Sequence, residues 1–151
     1  MSYKPRGLTF DQFNVGDVFV CQSRTVTEAD TVNFAGVAGD YNPLHTDEEF
    51  GKTTPFGTRI AHGVLGLAIA TGQANQLGVF EGTTIALMTQ TVKYTSAVKF
   101  GDTIHLELKV AEKKESSKTD RGVVTFDATV LNQQNKSVIE GQWVLLMKRG
   151  G

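Results

Sequence analysis

Residues 62–76 (His-Gly-Val-Leu-Gly-Leu-Ala-Ile-Ala-Thr-Gly-Gln-Ala-Asn-Gln) are apolar nearly all round. A helix of that kind is normally buried, because it has almost no face to offer water. Its Gly63, Gly66, Ala68, Ala70 and Gly72 let a sheet approach closely. Four runs rich in Val, Ile, Thr and aromatics follow, at residues 83–94, 103–113, 122–131 and 137–147. The breaks between them (Phe100-Gly101-Asp102, the charged tip 115–120, and Asn132-Gln133-Gln134-Asn135) are turn formers that suit successive antiparallel connections. A fifth strand is expected at residues 17–25. One buried helix and five strands in this order predict an α+β domain, a curved antiparallel sheet around a central helix.

Upstream, residues 1–16 read as a loose lead-in. Thr27-Glu28-Ala29-Asp30 is a capping box with Asp in place of Glu, and Val32, Phe34, Ala35 and Val37-Ala38 continue it into a helix of roughly three turns ended by Gly39. Residues 40–59 hold many turn formers and few periodic apolar residues. They predict a long ordered loop with one short helix near residues 47–50, and loops of this length are usually functional.

With 151 residues and no linker, repeat or low-complexity block, the chain suits one domain, residues 1–151. A formal net charge of -1 gives no electrostatic basis for binding nucleic acid. No apolar run is long enough to span a bilayer, and nothing at the N-terminus resembles a signal peptide. The single cysteine, Cys21, has no internal partner for a disulfide. Together these predict a soluble cytoplasmic protein that needs neither membrane nor nucleic acid.

The chemistry concentrates in Gly39-Asp40-Tyr41-Asn42-Pro43-Leu44-His45 and in His62-Gly63. An Asp and a His on one stiff turn can hold and deprotonate a single water. A glycine amide at a helix start can hold an oxygen that gains negative charge. Taken singly, Asp40 reads as an Asx-turn residue and His45 as a structural histidine. Their joint occurrence with Asn42 and Pro43 favours catalysis, because Pro43 fixes one φ and Asn42 can tie its side chain to backbone. Asp40, His45 and His62 can also be drawn as a two-histidine, one-carboxylate metal set. The spacing matches no familiar ligand pattern, so neither metal nor cofactor is expected. His62 reads as helix entry, loop contact or pocket wall, and His105 as exposed or structural. No nucleophile elbow or phosphate loop is present. Lys52, Arg59, Lys93 and Lys99 are available to phosphates, and none is singled out.

The segment from Phe34 to His45, with His62-Gly63 and the strand order, resembles the MaoC-like hydratases, which include the (R)-specific enoyl-CoA hydratases. The resemblance covers nearly the whole chain and implies a hot dog fold and an acyl-CoA thioester substrate. It also implies a homodimer with the acyl tunnel near the subunit interface. By that resemblance Asp40 and His45 activate the water, and Asn42 holds their loop. Gly63 N–H binds the thioester carbonyl, with His62 beside it. Thr71 stands where some members carry a Ser that lines the site. The implied reaction is reversible hydration of trans-2-enoyl-CoA to (R)-3-hydroxyacyl-CoA. Alternatives are a branched, dicarboxylic or carrier-protein thioester, or a non-catalytic acyl-CoA binding module; a thioesterase fits the turn less well.

Overall fold

The structure, a computed structural model, describes residues 2–150. Its strands are β1 (Val18–Val20), β2 (Arg24–Thr25), β3 (Thr84–Gln90), β4 (Lys93–Tyr94), β5 (Thr103–Glu115), β6 (Arg121–Asn132) and β7 (Ser137–Lys148). Its helices are α1 (Glu28–Ala38), α2 (Pro43–Thr46), α3 (Glu48–Thr53) and α4 (Gly63–Gln76). The strands form one antiparallel sheet in the order β1-β5-β6-β7-β3, with β2 also on β5 and β4 also on β7. Register shifts in the pairings of β5, β6 and β3 mark bulges, which bend a sheet.

The inner faces of β5 to β7 and one face of α4 share a single core. Ile104, Leu106, Leu108, Val124, Phe126 and Val130 pack with Leu65, Ile69, Ala70 and Ala74. Gln73 pins the helix to the sheet: its Nε2 donates to the carbonyls of Gln22 at 3.0 Å and Ile104 at 2.9 Å. The expectation of a helix buried all round needs correction. Val64, Ala68 and Gly72 stay exposed in the single chain. The sheet covers only one side of α4, and small residues leave the other side open.

Two expected strands are each broken in two. Residues 17–25 divide into β1 and β2, with Cys21 N–H still donating to Leu106 O at 2.8 Å between them. Residues 83–94 divide at Thr91, where the chain crosses Gly141. A Cβ on Gly141 would lie 1.8 Å from Thr91 O, so only glycine admits this crossing. The lead-in is not loose. Phe10 and Phe13 are buried, Phe13 packs edge-on against Phe126 at 5.5 Å, and Leu8 N–H donates to Val79 O at 2.8 Å. The capping box holds as expected: Thr27 Oγ1 accepts from Asp30 N–H at 3.2 Å, and Asp30 Oδ2 accepts from Thr27 N–H at 2.9 Å. The loop at 40–59 carries two short helices rather than one, α2 having been concealed by its length of four residues.

Candidate active site

Gly39, at φ 72°, ends α1 in the left-handed conformation and turns the chain into the loop. Asp40 then makes the Asx turn that its position suggested, Oδ1 accepting Asn42 N–H at 3.2 Å. Asn42 caps α2 by accepting Leu44 N–H at 3.0 Å, and Pro43 fills the first helical position. Thr46 Oγ1 donates back to the carbonyls of Tyr41 at 3.1 Å and Asn42 at 3.2 Å. A four-residue helix cannot hold itself by length. It is held by these side-chain bonds.

Three further bonds stitch this turn to residues 60–62. Ile60 N–H donates to Leu44 O at 3.2 Å, His45 Nδ1 bonds Ile60 O at 2.7 Å, and His62 Nε2 bonds Asp40 O at 2.9 Å. A carbonyl oxygen only accepts, so each of those imidazole nitrogens carries a hydrogen. His45 Nε2 is therefore free to accept a proton. One carboxylate oxygen of Asp40 and one nitrogen each from His45 and His62 lie within 4.8 Å of one another. Two hydrogen bonds of ordinary length through one water span about that distance. The same cluster is the metal set considered above. Its fit to an ion is poor, since His45 Nδ1 and His62 Nε2 are already engaged.

His45, His62 and Gly63 border a cavity of about 460 Å³ whose other walls include Phe56, Tyr94 and Val98. Asp40 stands just outside these walls, its side chain half exposed. The start of α4 opens on the cavity, and His62 makes no side-chain cap there. The first amides of a helix lack intrahelical partners and carry the positive end of its dipole. A Cβ at 63 would come within 2.7 Å of the Tyr94 ring, so a larger residue there forces that ring to move.

The structure does not bring Thr71 to this cavity. Thr71 lies about two turns along α4, donates to Ala68 O at 2.7 Å and lines a second hollow of about 160 Å³ beside β3, together with Leu87 and Trp143. Arg59 is taken up structurally. It pairs with Glu48 at 2.9 Å and Glu28 at 2.7 Å, and its guanidinium holds the Glu48 carboxyl below the usual range. Lys99 donates to Phe56 O at 2.8 Å, and Lys52 pairs with Glu49. His105 contacts Glu107 at 3.2 Å, away from the site. Burial pushes the Cys21 thiol up to about 11. Tyr94, Phe56 and the Ile60 carbonyl escaped sequence reasoning, and nothing in the local pattern marks them.

The fold and this site define an α+β hot dog protein with a carboxylate–imidazole turn at the start of its central helix. One half of a Mycobacterium tuberculosis protein described as a double hot dog fold superimposes with a TM-score of 0.85, at 17% identity over 98% of this chain and 46% of that one. A family model for the MaoC-like domain matches residues 12–132, and the chain belongs to that family. It is 32% identical to the (R)-specific enoyl-CoA hydratase of Rhodospirillum rubrum over 85% of each chain. It is 34% identical to the 3-hydroxybutyryl-CoA dehydratase of Methylorubrum extorquens over 71% of this chain and 66% of that one. Such relatives support hydro-lyase chemistry at the level of the family. No helix among the described residues is long and apolar enough to cross a membrane.

Proposed function

We propose that the chain is an (R)-specific enoyl-CoA hydratase, adding water reversibly to a trans-2-enoyl-CoA. The observation that carries this reading is the meeting of the Asp40 carboxylate and the His45 imidazole within 4.8 Å, beside the uncapped start of α4. The thioester carbonyl accepts from Gly63 N–H, so the charge of the forming enolate falls on the positive end of the helix. One such donor is worth about 2.7–4 kcal/mol of barrier. Water held between Asp40 and His45 attacks the β-carbon. His45 Nε2 takes its proton and returns it to the α-carbon, so the elements of water are added across the double bond. The reverse path dehydrates a 3-hydroxyacyl-CoA, the direction named for the Methylorubrum relative. A water fixed on one side of a fixed carbonyl reaches one face only, so a single enantiomer forms; the (R) hand rests on kinship.

The working unit in this reading is a homodimer in the cytoplasm. In this reading a second copy covers the open face of α4, the exposed residues Ile85, Leu87 and Met88 on the edge strand β3, and the hollow at Thr71. Thr71 would then shape the end of the acyl site. Purified protein should consume the conjugated thioester absorbance of short enoyl-CoAs and yield one enantiomer on chiral chromatography. Turnover should survive exhaustive chelation. Inertness toward every enoyl thioester would leave an acyl-CoA binding module, and loss on chelation restored by one divalent ion would revive the metal reading.

A further inference from the structure

His62 is almost wholly buried, at 3% exposure, and it borders the cavity. Its Nε2–H is spent on the Asp40 carbonyl at 2.9 Å. Its Nδ1 is shielded from solvent and has no partner among the described residues. One neighbouring ring is that of His45, with centroids 3.8 Å apart and planes inclined by 30°; another is Phe34, at 5.1 Å and 60°. A buried polar nitrogen without a partner is unfavourable, and native structures keep few of them. Leucine or phenylalanine would remove that cost. What they could not supply is an edge donor to residue 40 together with a flat face against residue 45.

We propose that His62 is a positioning residue, acting on Asp40 through its Nε2–H and on His45 through its ring face. Of the readings open at His62, this takes the loop contact over the pocket wall. Asp40 and His45 sit on opposite sides of Asn42 and could otherwise drift apart as α2 frays. His62 reaches both from a separate segment, at the residue before α4. It thereby ties the water-holding pair to the helix start that receives the carbonyl.

The proposal rests on the hydratase reading for its kinetic arm only. His62→Gln keeps an edge donor and loses the aromatic face, His62→Phe keeps the face and loses the donor, and His62→Leu loses both. With enoyl-CoA, kcat should fall for each single loss and by up to about 100-fold for leucine, with KM changed by less than about twofold. In the resting protein, nitrogen-15 NMR should show His45 as one tautomer, with hydrogen on Nδ1, and His62→Leu should show a mixture. Should the leucine variant fail to fold by circular dichroism, the glutamine and phenylalanine variants decide by the same readings. A raised KM with unchanged kcat would make His62 a substrate wall and overturn the proposal. So would an unchanged His45 tautomer together with unchanged kcat. If the wild type hydrates no enoyl thioester, the hydratase reading falls alone, and the NMR comparison still judges His62.

Discussion

At the scale of single residues, Asp40 and His45 each have a structural duty and one atom left over. Asp40 Oδ1 is used in the turn and His45 Nδ1 on Ile60. The remaining carboxylate oxygen and Nε2 can then act together on one water. Asp40→Asn keeps the side-chain shape and His45→Gln keeps an amide able to donate to the Ile60 carbonyl, so both proteins should fold. Each should lower kcat by orders of magnitude, and the double variant should be little worse than either, because groups that act as a unit are not additive. Near-normal hydration by one folded single variant would remove the pair from the mechanism. This turn is legible in sequence because its geometry is local: Gly39, Asn42 and Pro43 have their conformations set by neighbours one or two positions away. The Ile60 carbonyl and Tyr94 are not legible, since only the folded sheet carries residues 60 and 94 to positions 45 and 63.

The elements divide the same way. The start of α1 is readable because a capping box spans four residues, and β5 to β7 are readable from their content of Val, Ile, Thr and aromatic residues. The break between β3 and β4 is not, because it depends on Gly141 meeting Thr91 from another strand. Within α1, Thr31 Oγ1 is fully buried without a partner among the described residues. Thr31→Val keeps the volume and removes the unmet hydroxyl, and thermal unfolding should show a gain of about 1 kcal/mol. A clamp joins α1 and α3 to the segment before Ile60. There Arg59, and Thr58 after it, hold the Glu48 carboxyl below its ordinary 4.5. A depressed carboxyl stabilises the fold above its unfolded value, and the contribution is lost as pH falls through the folded one. Wild type and Glu48→Gln should therefore differ in melting temperature at neutral pH and converge below the ordinary value of 4.5. A difference that persisted in acid would mean that the ion pair is not the source.

For the whole molecule, one layer of sheet over one side of α4 leaves the architecture half covered. β3 is an edge strand with Met88 more than half exposed, and such edges are normally paired, charged or shielded. Met88→Lys should shift the proposed dimer to monomer in sedimentation while leaving the far-ultraviolet circular dichroism unchanged. An unaltered mass would place the interface elsewhere. The lead-in has a different consequence, one that concerns synthesis. Lys113 Nζ donates to Phe13 O across 100 positions, and Arg149 bonds Asp11 across 138. The segment around Phe10 and Phe13 is thus tied to residues made a hundred or more positions later. Until β6 is complete, Phe13 lacks Phe126 and Phe10 lacks the Gly122 backbone it covers, and closure over such separations is slow. A chain that stalls before β6 is made leaves both aromatic rings bare, which makes the nascent chain, more than the folded protein, the form most in need of a chaperone.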